Sequence, residues 1–536
     1  MLLRIHSIIA ALFLLALPSL VEAQYNFITN NGSITITFYT GPGGVVVIPS
    51  ATNGYPITSI GPGAFGSVTA LTSVTIPSSV TNIGSSAFEI CTGLTNIVIP
   101  NSVRTIGDNA FYYCTLLGSI IIPADLPSIG NTVFAADQNL ASLTIPISVT
   151  NIGEEAFVSC ISLTNIIIPA GVLSIGESAF AGCSVLTNIS VTAANSVYTS
   201  TNGVLCDKAR DMIIQYPAGI TNAAYTIPGS VTSIGYDAFD SCDNLNNLPV
   251  PGTVTSIGDS AFSSCRSLVT VTIANSVKNI GAGAFYLCSS LKSIAIPSGI
   301  TGIGASEFYD CSSLTNVIIP NTVTSIGDSA FGSCVALPGV TFPNSVTNID
   351  QYAFEDCIAL TTVTIPNSVI DLGPAAFSDC AKLTNVVIGS GLTNLGSEAF
   401  YNCTNLTSVD FQGDAPANDG TAFQGLNAGQ YDPATVFYLP GTGGWGATFD
   451  NVPTASWYQA QPAVLSFEPS FGVHNHQFGF SIAWATNASV IIQACTNLAK
   501  PSWIPVATNA MASGTNHFSD PSWMNYQSRY YRVSGP

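Results

Sequence analysis

Phenylalanine recurs every 23 residues. It stands at positions 65, 88, 111, 134, 157 and 180, resumes at 239, 262, 285, 308, 331, 354, 377 and 400, and ends at 423. The one irregular step, Phe180 to Phe239, equals two repeats plus 13 residues. An Ile-Gly pair begins five residues before most of these Phe residues, as at Ile83-Gly84, Ile106-Gly107 and Ile257-Gly258. An Ile-Pro pair follows about half a repeat later, as at Ile76-Pro77, Ile99-Pro100, Ile168-Pro169 and Ile319-Pro320. A unit this short cannot bury its own apolar face. Stacked copies bury one continuous core, so the period demands a solenoid.

Each position in the copy has a physical reading. Leu94, Ile97 and Ile99 form L-x-x-L-x-L, the strand signature of a leucine-rich repeat. Alternation turns Ile97 and Ile99 inward and Val98 outward. Pro100 ends the strand because it has no N–H for the ladder. Asn101-Ser102 form a turn, and Val103 and Ile106 predict a second short strand. Gly107 reads as a turn residue, and Asp108 as the cap of a short helical turn carrying Ala110 and Phe111. The expected fold is a β-rich solenoid of about 15 units of 23 residues.

On these residues the unit resembles the BspA-like leucine-rich repeat, also called the Treponema pallidum type, of bacterial surface and secreted proteins. The resemblance runs from roughly Tyr55 to Phe423. It implies a right-handed leucine-rich-repeat coil that binds proteins or cell surfaces, and it does not imply an enzyme. The family often carries a long unit like the one at the phase break, which points to a structural role there.

Other segments frame the repeat. Residues 1–23 read as a secretory signal peptide: Arg4, an apolar run from Ile8 to Leu17, and Val21-Glu22-Ala23 at the cleavage site. The expected location is secreted or cell surface. Residues 24–64 are strand-like and cap the first coil; 65–412 form the solenoid. Near 196–226 the phase break reads as a β-hairpin projecting from the stack, with the charged run Asp207-Lys208-Ala209-Arg210-Asp211 at its tip. It is either a tolerated insertion or a partner contact. Residues 413–460, with Trp445 and Trp457, form a closing cap. Residues 461–536 alternate like a small β-sandwich, with Trp484, Trp503 and Trp523 expected in its core. This module serves stability, surface association or carbohydrate binding.

An exported chain with 14 cysteines invites disulfides. Yet Cys91, Cys114, Cys160 and Cys183, then Cys242, Cys265, Cys288, Cys311, Cys334, Cys357, Cys380 and Cys403, all follow the repeat Phe by three residues. Asp137 fills the one skipped place. Such a column, beside Phe88, Phe111, Phe157, Phe180, Phe262, Phe285, Phe331 and Phe354, predicts free core thiols, since parallel Cβ vectors suit disulfides poorly. Cys206 and Cys495 lie outside it and remain unassigned.

Catalytic signals are weak. Gly258-Asp259-Ser260 and Gly327-Asp328-Ser329 fall in phase with the repeat, with no His nearby in sequence. His474 and His476 read as a surface pair, and the acidic residues Asp108, Glu154, Glu177, Asp259 and Asp328 as helix N-terminal stabilisers. No metal-ligand or phosphate-loop motif occurs, so no enzyme and no cofactor is expected. Lys+Arg number only 11 against a net charge of −19, which argues against nucleic acid as a partner. The charged fraction is 8%, so the surface must be neutral and polar.

The candidate binding face is the outward side of the first strand. Its outward positions include Val98, Ile167, Thr272, Ile318, Thr341 and Thr364. Flanking them are Thr95 and Asn96, Thr164 and Asn165, Thr187 and Asn188, Thr315 and Asn316, and Thr384 and Asn385. The expected function is a monomeric, non-catalytic, adhesin-like scaffold for an extracellular protein or polysaccharide. The alternative is a structural component of an envelope or extracellular layer. Tyr112, Tyr286, Tyr309 and Tyr401 share one repeat position and either stack on sugars or pack between coils.

Overall fold

The computed structural model describes residues 24–425, 433–456, 463–465, 471–474, 477–484, 489–511 and 515–534. The predicted signal peptide and Trp457 lie outside them. The chain forms two compact units, Met1–Cys288 and Ser289–Pro536. Both contain β-solenoid, about 17 turns of ~23 residues in all, somewhat more than the 15 Phe positions suggest. Part of the difference is aromatic: Tyr39 and Tyr216 extend the ring column where no Phe stands.

In the first unit a typical coil lays two short strands on the coil before it. Asn96–Val98 pairs in parallel with Leu71–Thr75, with Ile97 opposite Val74 and Val98 opposite Thr75. Thr105–Ile106 pairs in parallel with Asn82–Ile83. The register shift is one repeat, so like residues stack on like. Phe65, Phe88, Phe111, Phe134, Phe157 and Phe180 form one column with ring centroids 5.0–5.7 Å apart. All are fully buried. Each such burial stabilises the fold by roughly 2–3 kcal/mol, and parallel stacking adds about 1 kcal/mol per pair. A hairpin of Tyr25–Asn30 and Ser33–Tyr39 covers the first coil and turns at Asn31-Gly32, both at positive φ. Tyr39 stacks on Phe65 at 4.9 Å.

The helical turn expected after Gly107 is absent; the described residues contain no α-helix. Asn109 and Tyr113 have φ of 58° and 60°. These left-handed residues break any helical run and turn alternate amides outward. Ala110, Tyr112 and Cys114 donate three residues back within the coil, to Gly107, Asn109 and Phe111. Asn109, Phe111 and Tyr113 donate instead to the carbonyls of Asn131, Val133 and Ala135 in the next coil. The turn is thus a third inter-coil seam. Gly107 has no positive φ. The glycine of the Ile-Gly pair is there for close approach: a Cβ on Gly84 would lie 2.6 Å from the Pro62 nitrogen.

The phase break also departs from expectation. Tyr198–Thr201, Val204–Asp207 and Met212–Gln215 form successive antiparallel pairs, but they do not project. Val204, Leu205 and Ile213 are buried, and Met212–Gln215 pairs in parallel with Ser233–Ile234 of the next coil. Across these strands exposure is confined to the two turns, Thr201-Asn202 and Lys208 to Asp211. The strands carry apolar side chains on the core side, so they are built into the stack as an enlarged coil. Tyr216, 23 residues before Phe239, stacks on it at 5.1 Å.

The second unit repeats the plan. Phe308, Phe331, Phe354, Phe377, Phe400 and Phe423 stack at 5.1–5.8 Å. Thr362–Ile365, Asn385–Ile388, Ser408–Phe411, Thr435–Tyr438 and Val452–Ser456 make one parallel run. Trp445 closes its end, packing on Phe411, Tyr438 and Phe449 while its indole N–H donates to Thr442 Oγ1 at 2.9 Å. Further along the chain, Ala463–Leu465, Phe471–His474 and Thr515–Asp520 flank Gln477–Ala483 in one antiparallel sheet, and Ile504–Ala510 and Tyr530–Ser534 flank Ser489–Cys495 in another. Phe480, Ile482, Val490, Ile492, Met511 and Phe518 form their common core. The three tryptophans border it rather than fill it. Trp484 packs against the cluster, Trp503 lies under Arg532, and Trp523 stands 6.3 Å from Phe478.

Candidate binding face

The outward strand residues face solvent one per coil. Val98 is 53% exposed, Ile121 81%, Ile167 58% and Ile318 58%. Thr272, Thr341 and Thr364 are exposed at the same position. Thr95, Asn96, Thr164, Asn165, Thr187, Thr315, Asn316 and Thr384 are exposed beside them, while Asn188 and Asn385 are half-buried. Within each unit these side chains occupy the outward strand position and reach solvent.

The flanking threonines also have structural work that the sequence did not show. Thr95 Oγ1 donates to the Thr72 carbonyl at 3.0 Å, Thr187 to Thr164, Thr315 to Lys292 and Thr384 to Thr361. Each of these residues also donates its N–H to the same carbonyl. Two bonds per coil thereby tie the edge of the sheet. Asn385 Nδ2 braces the next coils through Ser408 Oγ and Asp410 Oδ2.

Where this threonine is replaced by a small residue or proline, the ladder fails. Gly118 and Ala141 take its place in two coils of the first unit, and pairing there shrinks to a single bridge, Ser119 to Ser142. Pro338 takes it in the second unit and removes both the N–H and the hydroxyl. Gly339 to Phe342 join no sheet. On one side Asn316–Ile318 pairs back to Ser293–Ala295; on the other Thr362–Ile365 pairs forward to Asn385–Ile388. A cavity of about 540 Å³ opens at this gap. Thr341, Phe342, Asn344, Thr362, Thr364 and Gln412 line it, and none of its lining residues is ionisable.

The cysteine column is structural. Thiols of the column donate to the carbonyl of the ladder Phe one coil back, as Cys91 to Phe65, Cys114 to Phe88 and Cys403 to Phe377, all at 3.1 Å, and Cys242 reaches the Tyr216 carbonyl at 3.9 Å. Burial pushes the thiols of Cys91, Cys183 and Cys357 up to about 12, and backbone N–H bonds only partly offset it. They are neutral and unreactive at ordinary pH. All fourteen cysteines are free, Cys206 and Cys495 included, and both of those are buried.

Two carboxyls occupy core positions of the repeat. Asp137 is fully buried; its Oδ1 accepts the Cys114 N–H at 2.7 Å and its Oδ2 has no partner. Glu307 fills the small-residue position before Phe308, accepts the Gly304 N–H at 2.7 Å, and leaves Oε1 unpaired. Burial pushes Glu307 up to about 8 and Asp137 well above its usual range. No convergent partner groups accompany them, so they read as strained substitutions in the stack.

The remaining candidates resolve as architecture. Asp108 Oδ1 accepts the Asn131 N–H, Asp259 Oδ1 the Ala282 N–H, and Asp328 the Gln351 side-chain amide. They cap the next coil, not a helix. Glu154 and Glu177 are simply exposed. Ser260 and Ser329 sit in the left-handed turn, with φ of 51° and 54°. Tyr309 lies over Gly332 of the following coil, and Tyr112, Tyr286 and Tyr401 are half-buried at the same position. The side chains of His474 and His476 lie outside the described residues. Among the described residues no group of three His, Cys, Asp or Glu converges as a metal site.

Comparison with known proteins matches the chain to the family model described as the BspA type leucine rich repeat region, in six copies over residues 58–187, 218–338 and 301–428. A leucine rich cell surface protein from Faecalibacterium prausnitzii is 30% identical, covers 68% of this chain and 93% of its own, with a TM-score of 0.44. A leucine-rich repeat protein from Bacteroides ovatus is 30% identical over 72% of this chain and 92% of its own, TM-score 0.38. A Treponema pallidum leucine rich repeat protein is 24% identical over 50% and 88%, TM-score 0.25. No curated protein matches.

Proposed function

The chain belongs to the BspA type leucine-rich repeat family, and from that premise we propose that it is an exported, non-catalytic scaffold that binds an extracellular protein or glycan through its outward strand face. The observation that carries this is the row Val98, Ile121, Thr144 and Ile167. Consecutive coils there present uncharged, β-branched side chains to water. A contiguous exposed apolar stripe on a soluble protein marks an interaction surface. A rigid row of repeats spreads many weak contacts over a large partner. Among the described residues no helix is long and apolar enough to cross a membrane.

The threonine hydroxyl bonds favour a second reading. They give the flanking Thr residues a purpose without any ligand. On that reading the protein is a structural component of an extracellular layer. A binding screen of residues 24–536 against extracellular proteins and glycans separates the two. Saturable binding that Ile121→Lys and Ile167→Lys abolish supports the scaffold. Concentration-dependent self-assembly with no ligand sinks it.

A further inference from the structure

We propose that the interruption of the strand ladder at Gly339 to Phe342 is a subsite for a neutral oligosaccharide. This deepens the reading of the strand face as a binding surface and rests on it. The cavity interrupts that face and includes two of its outward residues, Thr341 and Thr364. Its volume of about 540 Å³ falls within the range of small-ligand sites.

The chemistry selects the ligand class. Thr341, Thr362 and Thr364 bring hydroxyls, and Asn344 and Gln412 bring amides. Both group types donate and accept, as sugar hydroxyls do. Val340 and Pro366, both half-buried, add apolar surface suited to sugar C–H faces. Main-chain groups of residues 339–342, released from the sheet, add fixed donors and acceptors. With no cation in the lining and a net charge of −19 on the chain, uronic and sialic acids are disfavoured. An extended peptide would compete for the same main-chain groups. Strand addition, however, needs an open sheet edge, and this gap is one coil wide with paired strands on both sides.

The cause of the gap supplies the test. Pro338→Thr with Gly339→Asn restores the residues found at Thr384-Asn385, where the ladder is intact. This variant should fold at least as well as the parent. Thr364→Trp fills the cavity from the exposed side. Residues 24–536 are titrated calorimetrically with maltotriose, cellotriose and mannotriose, and with trigalacturonic acid for comparison. The expected result is saturable binding of at least one neutral trisaccharide, with the acid at least about tenfold weaker. Both variants should weaken it by roughly tenfold or more, with unchanged melting, while Leu173→Lys, at an exposed position outside the strand face, leaves it intact. Absence of neutral-sugar binding up to about 10 mM overturns the proposal. So does sugar binding that both variants retain, or a strand-forming peptide that binds the cavity more tightly than any sugar. If either occurs while Ile167→Lys still abolishes a protein ligand, the subsite fails and the binding face stands.

Discussion

Glu307 allows a prediction with a worked magnitude. Its carboxyl is held at about 8 by burial, against an ordinary value of 4.5, with the Gly304 N–H opposing the shift. A raised acid holds its proton in the folded chain after the unfolded chain has lost it. Stability therefore falls as pH rises from about 4.5 to about 8 and levels off above. Each unit corresponds to about 1.4 kcal/mol, so 3.5 units set a ceiling of roughly 5 kcal/mol. The next coil carries Ala330 at this place, fully buried, so Glu307→Ala fits the packing pattern. The variant should gain several kcal/mol over the parent between about pH 5 and pH 8.5, with most of the gain above pH 6. Because coils open locally, hydrogen exchange at Phe308 and Cys311, corrected for intrinsic rates, is the assay. Comparing the two proteins cancels every other titrating group. Parallel pH profiles for parent and variant would refute the reasoning.

Three further outcomes follow from the same geometry. Asp137→Cys completes the thiol column and removes a buried acid with an unpaired oxygen; melting at neutral pH should rise, by about 1–3 kcal/mol of stability, and the gain should shrink in acid. Ile90 is β-branched at φ 57°, so Ile90→Asn should stabilise by about 1 kcal/mol in chemical denaturation. Gly84→Ala should destabilise by about 1–3 kcal/mol because the added carbon meets the Pro62 backbone; an unchanged midpoint would show that the coils can separate freely.

The periodic apolar positions were legible because burial dictates them one by one. Leu94, Ile97, Phe111 and Cys114 all stand in the core where the repeat put them. The turn was misread because Gly-Asp-x-Ala-Phe carries helix-start signals, while the deciding feature is two left-handed residues that a consensus does not display. Tyr216 keeps the 23-residue spacing to Phe239, but a tyrosine does not continue a row of phenylalanines in the sequence. The outward face was visible as composition, but not the double use of its threonines, since a hydroxyl bond to the previous coil leaves no mark in one repeat. The cavity hung on one departure from consensus, Pro338, which averaging over copies erases.

The inter-coil bonds have a mechanical consequence. Thr95 to Thr72, Asn131 to Asp108 and Cys114 to Phe88 join residues only 23 to 26 apart. Bonds of this kind tie a coil to its neighbour, so tension on the ends loads these seams one after another. Each coil that gives way pays out 23 residues, roughly 80 Å of slack at full extension. Seams where the strand ladder is interrupted, at Gly118, Ala141 and Pro338, are where such a chain would tear first. Held in flowing fluid, the protein would lengthen by tens of ångströms per rupture and keep its remaining coils folded.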